Sequence, residues 1–248
     1  AEKKRHKVPK PPFFGLKVLE DISREKVFDS INEKALFSMS WGSKLKDKVK
    51  REQLLKGEYK PLLKELGDML IKGNWVDLRA VYGYFRCRRD GEKLLVLDGR
   101  GSVLEKIHFG SFPERSVPSL AHYFSEEEDI VAFQAVTVGG EINKLIAELE
   151  KLEEYNRMYL IHGLSVQLAE ALAGYVHDHI RKELRIPEGA GKRYSPGYPL
   201  WKDLADQRKL FKLLRIKENI GIELTEEYQL VPEQSTTAMI VHSALAEY

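Results

Sequence analysis

Apolar residues fall along this chain in two rhythms. From Lys46 to Lys72, Leu54, Leu55, Leu62, Leu63, Leu66, Met69 and Leu70 recur at helical spacing, and Pro61 marks a fresh helix start. Two amphipathic helices are expected there. The longest periodic region runs from Glu141 to Glu183, where Leu145, Leu152, Tyr155, Leu164, Leu168, Leu172, Val176 and Ile180 trace apolar faces. It predicts two helices, or one that bends near Gly163. Ser23 reads as the cap of a short helix reaching Phe28, and another helix is expected over Asp203 to Leu214.

The second rhythm is that of strands. Ala80–Phe85 and Lys93–Leu97, separated by Arg89-Asp90-Gly91, predict a hairpin. Ile130 to Val138 is short, rich in β-branched residues and ended by Gly139-Gly140, which suits a buried strand. Ile222–Leu224 and Ala238–Val241 are further strand candidates, the first preceded by a turn at Asn219-Ile220-Gly221. Between Ile186 and Pro199, three glycines and three prolines argue against regular structure. Strands and helices mix without βαβ alternation or internal repeat. The expected class is α+β, a single domain with a mainly antiparallel sheet flanked by long helices.

Residues 1–12 are rich in Lys, Arg and Pro and read as a solvated linker, leaving 13–248 as the domain. A nucleic-acid contact is the other use of such a basic run, but 40 basic against 38 acidic residues give no general attraction to nucleic acid or anionic membrane. No apolar run is long enough to span a bilayer, and no apolar stretch follows the basic start as in a signal peptide. One cysteine, Cys87, permits no internal disulfide and no paired zinc spacing. A reducing, cytoplasmic setting is the expectation. Beginning at Ala1 is compatible with a piece of a longer polypeptide, or with removal of an initiator Met.

The common catalytic signatures are absent: no Walker loop, no Gly-x-Gly-x-x-Gly, no His-Glu-x-x-His and no Gly-x-Ser-x-Gly. His177 and His179 flank Asp178, yet residues two apart on a helix face different ways, so no metal site is assigned. Cys87 stands among Arg86, Arg88 and Arg89, where positive charge lowers a thiol pKa, but no acid–base partner is near in sequence. It reads as an ordinary strand cysteine. The loop Lys192-Arg193-Tyr194-Ser195-Pro196-Gly197-Tyr198-Pro199 differs in kind. Arg193 offers a planar fork for a carboxylate, Gly197 permits close backbone approach, and Tyr198 supplies a flat face with a polar tip. Such a loop suits an amino-acid-like ligand attached to an aromatic ring, or else a structural turn between helices.

The run Arg193-x-x-x-Gly197-Tyr198-Pro199 resembles the signature of the activation domain of cobalamin-dependent methionine synthase. Further segments continue the likeness in order: Pro11-Pro12-Phe13-Phe14-Gly15, then Ile31 to Phe37 ending at Trp41, then Ala132 to Gly139. Leu168 to His177, Asp203 to Gln207, Gly221 to Glu226 and Pro232 to Thr236 follow. The resemblance implies binding of S-adenosylmethionine and reactivation of a corrinoid that has oxidised to cob(II)alamin. It further implies that the cobalamin sits on a separate domain or subunit, and that a flavodoxin-like or flavoprotein reductant supplies the electron. By carry-over, Arg193 holds the ligand's carboxylate, Ser195 and Gly197 offer backbone contacts, and Tyr198 borders the site. An acidic contact near the domain's entry falls on Glu33, Glu170 on the long helix is a further candidate, and Tyr248 matches an aromatic position. No catalytic acid or base is implied, because methyl transfer from a sulfonium needs chiefly alignment.

Three departures qualify the likeness. Leu200-Trp201-Lys202 stands where the family has a small residue and Cys-Pro. Glu247 replaces the first of two terminal aromatics, so a contact there uses its backbone. Glu33 stands for an aspartate. These leave open a second reading, a module that senses S-adenosylmethionine without transferring its methyl group. An autonomous doubly wound methyltransferase is disfavoured, because its glycine-rich strand-to-helix turn is missing.

Overall fold

The computed structural model describes residues 8–42, 47–187 and 189–248. Its strands are β1 (Gly15–Leu19), β2 (Arg79–Asp90), β3 (Lys93–Leu97), β4 (Val103–His108), β5 (Asp129–Thr137), β6 (Lys192–Tyr194), β7 (Glu223–Leu224), β8 (Leu230–Val231) and β9 (Ser235–Val241). The helices are α1 (Arg24–Asp29), α2 (Glu33–Ala35), α3 (Lys48–Leu54), α4 (Lys60–Lys72), α5 (Glu141–Lys151), α6 (Tyr155–Glu183), α7 (Gln207–Leu214) and α8 (Ile216–Ile220). The main sheet runs in the order β4-β3-β2-β5-β9-β6, with β1 also on β2, while β7 and β8 form a separate ribbon. Every pairing is antiparallel. The α+β, largely antiparallel class expected from the sequence is the one observed.

β5 is buried at all nine positions, so its sequence shows no polar alternation. Its alternate residues serve two cores. Ile130, Ala132 and Val136 join the cluster beneath α1, α4, α5 and α6, whereas Val131, Phe133 and Ala135 join the one beneath α7 and α8. The long strand β2 serves two partners in turn, β1 along Ala80–Tyr84 and β3 along Arg86–Asp90. Gly83 makes the first pairing possible, because a Cβ there would stand 2.4 Å from the Gly15 carbonyl oxygen.

α6 is fastened to the sheet by a partly buried polar cluster. Tyr84 donates to Glu183 at 2.7 Å, Tyr82 donates to the same carboxylate at 3.3 Å, and Tyr82 also meets His179 Nε2 at 3.1 Å. His179 is thus engaged with the sheet, not paired with His177.

The structure refines several expectations. Lys46 lies outside the described residues, and the helical pattern that follows it is one continuous run instead of two separated helices. A π-helical turn over Leu55–Tyr59 joins α3 to α4, with Lys60 N–H donating back to Leu55. The wider turn accommodates Pro61, which has no N–H to donate. Of the two readings of Glu141–Glu183, two helices is the one observed: the break between α5 and α6 falls at Leu152–Glu154, where Glu153 has a φ of 59°, and α6 runs through Gly163 without ending there. Gly163 instead lets α6 approach Ser40 and Trp41. Ser23 caps its helix as anticipated, accepting from Lys26 N–H; Asp203, expected as the first residue of a helix to Leu214, instead caps a 3-10 turn over Leu204–Asp206 that leads into α7, accepting from Ala205 N–H. Residues 8–12 carry no regular structure, although Pro11 is buried; residues 1–7 of the expected linker lie outside the described part.

Candidate functional site

The short strand β6 decides where the site lies. It pairs with β9 in the register Arg193↔Ile240 and Tyr194↔Met239. Ile240 belongs to the α6-side core and Met239 to the opposite one, so Arg193 turns toward α6 and Tyr194 turns away. β6 is the last strand of the sheet, and a cavity of about 460 Å³ wraps around it. Its lining takes Arg193, Tyr194, Ser195, Tyr198, Pro199, Leu200 and Trp201 from β6 and the following turn. Glu170 from α6, Arg115 from the loop after β4, Thr236 from β9 and Tyr248 complete it. The volume is within the range of small-molecule sites.

The turn after β6 is held from three sides. Gly197 has a φ of 88°, a left-handed conformation that glycine adopts without cost, and its N–H donates to the Trp201 carbonyl at 2.8 Å. Trp201, 1% exposed, donates its indole N–H to Asp206 at 2.7 Å and stands edge-on to Phe109. Ser195 Oγ donates to the Thr237 carbonyl at 2.6 Å. The bulky residue standing where a small one and Cys-Pro were anticipated is therefore a fixed floor of the cavity. The two tyrosines at its rim are open to solvent, Tyr198 at 62% and Tyr248 at 71%.

Charge in the site is concentrated at one place. Arg193 reaches Glu170 at 3.5 Å, leaving most of its five N–H donors free for another partner. A second cavity of about 770 Å³ adjoins the first across this pair and is lined also by Asn32, Gln167, Tyr175 and His179. His177, on the same helix, keeps a buried Nε2 with no hydrogen-bond partner among the described residues. Burial, and then the charges of Arg193, Arg181 and Lys192, hold its imidazole down at about 4. Burial also pushes the Tyr194 phenol well above the ordinary value, so it remains a donor. A cation beside a carboxylate at the edge of an aromatic-lined hollow is the arrangement that grips a zwitterionic amino-acid head while a flat ring lies against the wall.

Of the residues singled out from sequence, Arg193, Ser195, Tyr198, Glu170 and Tyr248 line this one cavity. Gly197 shapes the turn without lining it. Glu33 lies outside both cavities and pairs with Lys60 at 2.9 Å, while its neighbour Asn32 lines the second one. Sequence reasoning gave no site role to Arg115, Tyr194 or Thr236, although the last two fall in segments it singled out; Arg115 comes from an irregular loop that carries no periodic or motif signal. Cys87 is fully buried, and burial followed by the charge of Asp129 pushes its thiol up, the opposite of an activated nucleophile. Among the described residues, no group of three or more His, Cys, Asp or Glu side chains is arranged to hold a metal ion, and no helix is long and apolar enough to cross a membrane.

The chain was compared with known proteins. Methionine synthases of Mycobacterium tuberculosis (strain ATCC 25618 / H37Rv) and Mycobacterium leprae (strain TN) are 32% and 31% identical to it across 97% of its length. The chain spans 23% of the length of each of these relatives. A solved structure described as the MetH reactivation domain bound to AdoHcy superimposes with a TM-score of 0.84 at 23% identity, covering 97% of this chain and 82% of that one. That likeness establishes the fold. Residues 25–248 match the family described as vitamin B12 dependent methionine synthase, activation domain. The chain belongs to that activation-domain family.

Proposed function

We propose that this domain binds S-adenosylmethionine in the cavity around β6 and presents its methyl group to a cobalamin held by a separate domain or subunit of a methionine synthase. One observation carries the reading: Arg193 and Glu170 stand together at the edge of a hollow whose wall includes three tyrosines and Trp201, with Arg115 as a second cation. The ligand's carboxylate pairs with the Arg193 fork, its ammonium lies toward Glu170, and its adenine meets the aromatic wall. Ser195 and the Gly197 turn offer backbone groups, and Tyr198 and Tyr248 border the mouth. The similar solved reactivation domain is bound to AdoHcy. Glu33 lines neither of these two cavities and would reach a ligand only by leaving Lys60.

A corrinoid on that separate domain, kept reduced by a flavodoxin-like or flavoprotein donor, would supply the methyl acceptor. This chain's own part is to bind and aim the donor. No general acid or base is required of it, since the sulfonium carries its own leaving group.

Isothermal titration of S-adenosylmethionine into the chain tests the site. Arg193→Ala removes a charge-assisted contact and should weaken binding about 10- to 100-fold; an unchanged affinity would remove Arg193 from the site. Incubation with a cob(II)alamin-loaded partner domain, a reductant and methyl-labelled S-adenosylmethionine then tests transfer. Label that stays on sulfur while binding is intact would identify a sensing module instead.

A further inference from the structure

The residue that brings Tyr248 to the cavity lies outside the cavity. The chain after β9 returns across β6, and the peptide of Glu247 is held on both sides by phenols. Tyr194 donates its hydroxyl to the Glu247 carbonyl at 2.6 Å, and the Glu247 N–H donates to the Tyr123 hydroxyl at 3.3 Å. The two tyrosine rings are stacked, with centroids 6.4 Å apart and planes 19° from parallel. Beyond this clamp, Tyr248 lies 5.9 Å from the Tyr194 ring, beneath the Lys192 ammonium at 5.2 Å, and its hydroxyl accepts from Arg193 N–H at 3.5 Å.

Resting on the reading of this cavity as the ligand site, we propose that Tyr123 is a positioning residue, which with Tyr194 grips the Glu247 peptide and so sets Tyr248 across the cavity mouth. The grip is on backbone atoms, so it is indifferent to the side chain at 247, where Glu stands in place of an aromatic. Tyr194 lines the cavity and can touch a ligand itself, whereas Tyr123 lies in a short 3-10 helix, Leu120–Tyr123, and is not part of the lining. An effect of the Tyr123 hydroxyl on ligand affinity passes either through the stacked Tyr194 or through the tail, and removing the Tyr248 side chain separates the two routes. With 71% of Tyr248 exposed, its own packing is a weak restraint, and the clamp supplies what packing does not.

A double-mutant cycle on the full chain tests this. Tyr123→Phe keeps the stacked ring and deletes only the hydroxyl. It should weaken S-adenosylmethionine binding by titration calorimetry about 3- to 10-fold, the worth of one hydrogen bond. In a Tyr248→Ala background the same change should cost nothing more, because the side chain being positioned is gone. Amide hydrogen exchange should quicken over residues 243–248 in Tyr123→Phe while β5 and β9 keep the parent's protection. Additive losses in the cycle, or unchanged affinity and exchange in Tyr123→Phe, overturn the proposal. If the parent binds the ligand and Arg193→Ala abolishes binding while Tyr123→Phe does nothing, the clamp fails and the site stands. If the parent itself binds nothing, the site reading fails and the exchange experiment alone judges the clamp.

Discussion

Replacing His177 by leucine should flatten the acid side of the chain's stability curve. The imidazole lies at the α6–β6 junction with its Nε2 buried and unpartnered, facing Arg181 of its own helix and Lys192 and Arg193 of the strand. Its ordinary value of 6.5 is lowered to about 4, by burial first and by these cations next. As pH falls below the unfolded value, the unfolded chain takes up a proton that the folded chain refuses until the lower value is reached. Stability contributed by the neutral imidazole is therefore present at neutral pH and lost as pH falls through that window. The slope is about 1.4 kcal/mol per pH unit, so about 2 kcal/mol should vanish between about pH 7 and about pH 4.5. Urea unfolding of the parent and of His177→Leu across that range isolates the contribution, since titrations shared by both cancel in the difference. Parallel stability curves, or an imidazole proton signal that titrates at the ordinary value, would refute the reasoning.

Two further changes test the backbone around the site. Gly197→Ala places a Cβ on a residue with a φ of 88° and 2.9 Å from Leu204 Cδ1. The leucine tip can yield, so the cost is the left-handed backbone, about 1–2 kcal/mol, read as a fall of about 2–8 °C in Tm by calorimetry; an unshifted Tm would mean the turn is not held as described. Gly83→Ala sets a Cβ 2.4 Å from the Gly15 oxygen, an atom of the sheet ladder that cannot swing aside. It should destabilise the fold by about 1–3 kcal/mol and raise amide exchange in β1 first; a parent-like exchange pattern would show that β1 is not pinned there.

How much of this was legible in the sequence depends on the length over which each signal repeats. α6 and β5 are long or strongly apolar, and both were readable, the two-helix reading of Glu141–Glu183 included, although nothing in the periodicity located the break between the helices. A residue such as Glu153 adopts a left-handed φ for local reasons that periodicity does not encode. β6 was missed because three residues among glycines and prolines carry no rhythm; they become a strand only when β9 is there to pair with them. β1 and β4 were missed for related reasons, the first being short and the second exposed at four of its six positions. At the site, the Arg193 loop was visible through its side-chain chemistry and through family resemblance. Arg115 and Tyr123 were not, since nothing local marks a loop residue that meets the site only after the chain has folded.

β6 forms the border of the main sheet, and on its outer side stand the cavity and Tyr248 instead of another strand. Unpaired peptide groups at such a border are where foreign chains add themselves and fibrils begin. Here that row is only three residues long and its central amide is already turned to a phenol. The same stretch of backbone that makes room for a small molecule thus withholds a template from neighbours, and the domain gains protection against runaway stacking from the geometry of its pocket.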